Sequence, residues 1–184
     1  MKRFIVAITG ASGVCYARRL FDVLKGRAEL HMVISDRGAE LLKLELDLTP
    51  SYFSGEHVTL YKNSRINASI ASGSFRADGM VVVPASMGTI GRIASGVSTT
   101  LVERAADVVL KEKRKLIVVP RETPLSAIHL KNLMTLDSAG ALVLPASPGF
   151  YSGQKTLKDL VDFVVARILD QLDMEQDLMS PYEA

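Results

Sequence analysis

The chain has 184 residues, of which 48% are apolar and 23% charged, and its formal net charge is +2. That is enough chain for one domain with a well-packed core, and too little positive charge for a nucleic-acid surface. A single cysteine, Cys15, excludes an internal disulfide and a cysteine-built zinc cluster, and three scattered histidines give no metal spacing.

The opening "MKRFIVAITGASG" sets an apolar run, Phe4 to Ile8, behind two basic residues. The run is too short for a signal peptide and reads as a buried first strand. Further apolar runs follow at 30–34, 80–84, 115–120 and 141–145. They are rich in Val and Ile and do not alternate with polar residues, as expected of strands covered on both faces. Between them the periodicity predicts helices at about 14–25, 36–46, 87–95, 99–113, 125–136 and 156–172. Residues 48–77 are the least regular and predict a short strand with irregular chain, and about 174–184 read as a tail. Strands alternating with helices imply an α/β fold: a doubly wound parallel sheet in a three-layer sandwich, Rossmann-like or flavodoxin-like. No run is long enough to span a membrane, and the expectation is a soluble cytoplasmic protein in one domain.

In such sheets ligands bind beyond the carboxyl ends of the strands. "TGASG", Thr9 to Gly13, runs from a strand through small residues into a helix, so its backbone N–H groups can approach an anion. "PASMGT", Pro84 to Thr89, repeats the arrangement, and "VISDRG" adds Ser35. At these positions Ser35, Ser86 and Thr89 are either helix caps or phosphate contacts. "VVPRETPLS", 118–126, places Arg121 and Glu122 between two prolines on the same rim. Neighbours pair poorly with each other, so each is expected to have another partner. Thr123 and Pro124 read as the N-cap and first residue of the next helix. Thr156 and Asp159 stand at capping-box spacing, and Leu157, Leu160, Val161, Val164, Ile168 and Leu172 form an apolar stripe. Arg167 lies at its edge, which predicts a partner in or near the interior. Lys111 closes a helix, where its charge suits the dipole, and Tyr151 follows a Pro-Gly turn.

"ITGASG", "ASGSF" at 71–75, "PASMGTIGRIASG", "LVERAADVVLKEKRKLIVVPRETPLSAIHL" and "PGFY" together resemble the UbiX-type flavin prenyltransferases over nearly the whole chain. The resemblance implies a metal-independent transferase. It would join the dimethylallyl group of dimethylallyl phosphate to N5 and C6 of reduced FMN, and prenylated FMN would pass to a UbiD-type decarboxylase. It implies a homo-oligomer, a dodecamer, with sites at subunit interfaces. By position it implies an FMN site of Gly10, Ala11, Ser12, Ser35, Ser86, Met87, Gly88, Thr89 and Arg121. The implied prenyl phosphate site involves Glu45, Lys111, Arg121, Glu122, Tyr151 and Arg167, with Ser12, Lys111 and Glu122 catalytic. Cys15, where small or aliphatic residues are usual, reads as a packed thiol. Tyr182 stands where relatives can carry Trp. Two alternatives are a flavin-dependent cysteine decarboxylase of similar fold, whose substrate motif "PRETPLSAI" replaces, and a non-catalytic FMN carrier.

Overall fold

The computed structural model describes residues 1–151 and 153–179. Six parallel strands, β1 (Lys2–Ile8), β2 (Ala28–Ile34), β3 (Val58–Lys62), β4 (Gly79–Ala85), β5 (Leu116–Pro120) and β6 (Leu142–Val143), form one sheet in the order β3-β2-β1-β4-β5-β6. The helices are α1 (Val14–Leu24), α2 (Asp36–Leu46), α3 (Met87–Ala94), α4 (Leu101–Lys111), α5 (Ala127–Ser138) and α6 (Leu157–Gln171). Each expected strand and helix is present, and the irregular 48–77 stretch supplies β3 as an edge strand. The order is the Rossmann one, and it reverses between β1 and β4.

Alternation along the strands divides the core in two. Phe4, Val6 and Ile8 of β1, with Val81 and Val83 of β4, face α1 and α6. Ile5, Ala7, Met80 and Val82 face α3 and α4. Each face is covered, which is why the strand sequences show no polar alternation. The expected fifth strand shrinks to Leu142–Val143 because it pairs only with β5, through two residues.

Three local expectations need correction. Helix α5 is capped by Ser126, whose hydroxyl accepts from His129 N at 3.3 Å, and not by Thr123. Two hydroxyl residues three apart offered competing caps, and the 121–125 segment instead runs as a loop whose Thr123–Pro124 bond is cis. In α6, Val161, Val164, Ile168 and Leu172 are buried as the stripe requires, but Leu157 is 74% exposed at the first turn, beyond the reach of the sheet. The expected tail is in part packed: Met174 and Leu178 lie against the core, and Glu175 O accepts from Arg27 Nη2 at 2.6 Å. Tyr182 lies outside the described residues.

Sequence patterning did not single out Asp162, a buried carboxylate that fastens α6 to α1. It accepts from Arg19 through both oxygens and from Lys158 Nζ at 2.7 Å. Burial raises its pKa, but the hydrogen bonds from Arg19 and Lys158 outweigh that and leave it below the usual carboxylate range. A depressed folded pKa contributes stability that is present above the unfolded pKa and lost as pH falls through the folded one. Asp162→Ala is expected to lower the unfolding free energy at pH 7 by about 3 kcal/mol, because Arg19 loses its partner in a mostly buried setting. In urea titrations the gap between wild type and variant should close as pH drops below the folded pKa; a gap of equal size in acid would mean that the ionised contact is not its source.

Candidate active site

The point where strand order reverses is fastened by one residue, Thr9, whose backbone N–H donates to Pro84 O at 3.3 Å. Thr9, at the end of β1 and 1% exposed, donates from Oγ1 to Pro84 O at 2.7 Å and accepts from Ser86 N at 2.8 Å. The ends of β1 and β4 are thereby held in register beside a cavity of about 360 Å³. Thr9, Gly10, Ser35, Ser86, Gly88 and Thr89 line it. A Cβ on Gly10 would come within 2.6 Å of Arg37 Cβ, so glycine is required where α2 crosses the first turn.

Ser35 and Ser86 are caps: Ser35 Oγ accepts from Gly38 N at 3.0 Å, and Ser86 Oγ from Thr89 N at 3.4 Å. Capping uses a lone pair and leaves the O–H free to donate, so cap and anion contact are compatible roles. Met87 buries its side chain in the core and can serve the cavity only through its backbone N–H at the start of α3.

The "TGASG" turn differs. Gly13 and Val14 donate their N–H groups to Glu45 Oε2, at 3.0 and 3.1 Å, so the chain's own carboxylate holds the N-terminus of α1. The pull of that helix end on negative charge is therefore already met, and the α3 end is the one left facing the cavity. Ser12 is exposed, and its carbonyl accepts from Arg121 Nε at 3.0 Å, which swings Arg121 from the end of β5 across to the β1 turn. Glu122 accepts from Thr123 N at 3.0 Å. Arg121 and Glu122 thus have separate partners, as expected of neighbours. Together they line a second cavity of about 290 Å³ with Pro145 and Ser147.

A third cavity, about 260 Å³, shares Pro145 and Ser147 and adds Phe163 and Arg167. Tyr151 packs edge-on to Phe163 at 5.8 Å between centroids. Arg167 corrects the expectation of an interior partner: it is exposed and pairs with Asp170 at 3.0 Å, because position 167 falls on the outer side of α6. Lys111 is not brought near this rim. It ends α4, which leads into the amino end of β5, whereas Arg121 follows the carboxyl end of that strand. There Lys111 pairs with Glu112 at 2.7 Å against Gly73 of "ASGSF", and Arg114 Nη2 donates to Gly73 O at 2.7 Å.

Residues that patterning missed include Arg92 and Glu103. Glu103 is buried in the first turn of α4 and accepts from Arg92 Nε, from Thr99 N and Oγ1 and from Thr100 N, beside the first cavity. The capping-box spacing of Thr100 and Glu103 was the available signal. Cys15 is half-buried against the core; burial and the Glu45 charge raise its thiol pKa. Among the described residues no group of His, Cys, Asp or Glu is arranged to hold a metal, and no helix is long and apolar enough to cross a membrane.

The family model described as Flavoprotein matches residues 1–169. A flavin prenyltransferase UbiX of Thermoplasma acidophilum is 47% identical over 177 residues, covering 96% of this chain and 98% of its own. A crystal structure of AnUbiX (PadA1) in complex with FMN and dimethylallyl pyrophosphate superposes with a TM-score of 0.95 at 39% identity, covering 100% of this chain and 98% of the other. A dodecameric FMN-dependent Ubix-like decarboxylase from Escherichia coli O157:H7 also gives a TM-score of 0.95 at 39% identity, covering 99% and 100%.

Glu45→Gln should keep an acceptor for Gly13 and Val14 while removing the charge that raises the Cys15 pKa. The thiol pKa should fall, and alkylation by iodoacetamide at fixed mildly alkaline pH should quicken several-fold. An unchanged rate–pH profile would mean that burial alone sets the Cys15 pKa.

Proposed function

The chain belongs to the flavoprotein family and is a flavin prenyltransferase of the UbiX type; from that premise we propose how its residues divide the work. The observation that carries the assignment is the first cavity at the β1/β4 reversal, between hydroxyls and the free N-terminus of α3. It fits the phosphate of FMN: Ser35, Ser86 and Thr89 offer hydroxyls, and Gly10 and Gly88 let the backbone approach. Ala11, Ser12 and Met87 contribute through their backbone, and Arg121 closes the flavin site from β5.

When bound, reduced FMN would supply two nucleophilic atoms: N5 would displace phosphate from the allylic carbon, and C6 would then close the ring on the alkene, its proton passing to a base as the neighbouring alkene carbon takes one up. The protein's part is to hold the two substrates, exclude water and stabilise the leaving phosphate. Arg121 and Arg167 lie on adjoining cavities and offer guanidinium donors to phosphate oxygens. Tyr151, packed on Phe163, supports the same wall, and Ser12 and Glu45 lie beside it at the β1 turn. Glu122 carries a negative charge next to an anionic substrate, so attraction does not explain it; it exchanges protons with phosphate or flavin during transfer.

Lys111 cannot join Arg121 within one chain, so its ammonium serves a site on another copy. The surface is consistent with assembly: Leu130 and Met134, four apart on α5 and so on one face, are exposed, and Ile128 is exposed in the first turn after the Arg121 loop. We take the chain as one flavoprotein domain in a homo-oligomer, a dodecamer like the Escherichia coli protein. Prenylated FMN passes to a UbiD-type decarboxylase. The cytoplasm, which keeps thiols reduced, suits the unpaired Cys15. Neither the cysteine decarboxylase nor the passive carrier is favoured: "PRETPLSAI" lacks the former's substrate motif, and a carrier has no use for Lys111, Glu122 and Arg167 together.

Anaerobic incubation with reduced FMN and dimethylallyl phosphate, followed by mass analysis, should yield flavin heavier by one prenyl group; unmodified flavin would overturn the assignment. Glu122→Gln should bind both substrates nearly as well as wild type and form product about 10²–10⁴-fold more slowly in single turnover; a wild-type rate would leave Glu122 only its contact with Thr123 N. For the shared site, Lys111→Ala and Arg121→Ala subunits should each be impaired alone and regain activity when co-assembled, because some sites then draw both residues from intact copies. Co-assembled complexes with no recovery would place Lys111 outside the site.

A further inference from the structure

The cavity proposed for the flavin phosphate is lined by two carboxylates, Glu103 and Asp36, as well as by Arg37 and Arg92. An ionised carboxylate beside a phosphate needs an explanation. Burial raises the Glu103 pKa, but Arg92, Thr99 and Thr100 outweigh burial and leave it lowered, so the group stays charged. Its four donors, Arg92 Nε, Thr99 N, Thr99 Oγ1 and Thr100 N, account for both of its oxygens. Little acceptor capacity then faces the cavity, and Glu103 holds Arg92 by the Nε edge of its guanidinium.

The remaining guanidinium edge points at the α3 N-terminus. Arg92 Nη2 donates to Thr89 Oγ1 at 3.4 Å, and Thr89 Oγ1 lies 3.0 Å from Ser86 Oγ. Arginine has no acceptor, so in this contact the Thr89 hydroxyl receives from Arg92. Ser86 Oγ accepts from Thr89 N at 3.4 Å, and either of the two hydroxyls can donate to the other. The chain Glu103–Arg92–Thr89–Ser86 therefore brings guanidinium and hydroxyl donors together at the site, which suits an oxygen-rich dianion that accepts everywhere and donates nowhere.

Building on the flavin reading above, we propose that Arg92 is a flavin-phosphate recognition residue, with Glu103 as its positioning residue. It makes the cavity select a phosphorylated flavin over the unphosphorylated one, through its own Nη donors and through its hold on the Thr89 hydroxyl. Arg92 is 46% exposed along its side chain, so removing it takes little apolar packing from the core, although Glu103 loses its charged partner and the fold of each variant is checked by circular dichroism.

The test is titration of the flavin-free protein with FMN and with riboflavin, followed by flavin fluorescence, for wild type, Arg92→Ala, Arg92→Lys and Glu103→Gln. Arg92→Ala should lose roughly 10- to 100-fold in FMN affinity, the range for one charged hydrogen bond, while riboflavin affinity stays at the wild-type value. Arg92→Lys should recover part of the loss, since the charge returns without the fork. Glu103→Gln should lower the FMN-to-riboflavin ratio in the same direction. A folded Arg92→Ala protein with the wild-type ratio, or one that loses both flavins equally, overturns the inference and leaves the prenyltransferase reading standing. A wild-type protein that takes up no FMN overturns both.

Discussion

The site depends on a single buried threonine. Where the order of a parallel sheet reverses, the connections from two adjacent strands leave toward opposite faces, and the backbone groups at those carboxyl ends need partners. Thr9 supplies both halves of the remedy, donating to Pro84 O and accepting from Ser86 N. Val would fit the volume and keep the backbone N–H on Pro84 O, but lose both hydroxyl contacts. With Thr9 in place, the turn after β1 and the start of α3 are held as one surface, and the 360 Å³ cavity lies between fixed walls.

From that fixed crevice, the roles of the acidic residues follow. Helix ends and guanidinium groups attract negative charge, and the chain satisfies some of that attraction itself. Glu45 takes the N-terminus of α1, Glu103 takes Arg92 and the start of α4, and Asp162 takes Arg19 and Lys158. What remains facing the cavity is the donor-rich start of α3. An anion is therefore directed to one of two turns that look alike as sequence, because the other already holds a carboxylate.

The remaining cations are spread around the molecule. Arg121 and Arg167 line adjoining cavities beyond β5 and β6, while Lys111 lies at the amino end of β5 against "ASGSF". A parallel strand separates its two ends by its whole length, so side chains from both ends cannot meet one small ligand within one chain. Residues drawn from two copies of the chain would not meet that obstacle, and Leu130 and Met134, four apart on α5, leave exposed apolar surface on one side of that helix.

The sequence alone determined the layered architecture. Val- and Ile-rich runs without polar alternation required strands covered on both faces, and intervening 3.6-residue periodicity required helices on each side. It also marked the strand ends at Thr9, Ser35, Ser86 and Arg121, because small residues, hydroxyls and prolines act on the backbone within a few positions. Local signals became ambiguous where two residues competed, as with Thr123 and Ser126 for the α5 cap. They could not show that Glu45 closes α1, that Glu103 directs Arg92, that Asp162 joins α6 to α1, that Arg167 faces outward, or that Lys111 lies far from Arg121. Those outcomes required the tertiary structure, because a charge finds its partner through packing between distant segments. Periodicity fixes which face of a helix is buried, but not which residue of another helix lies across from it.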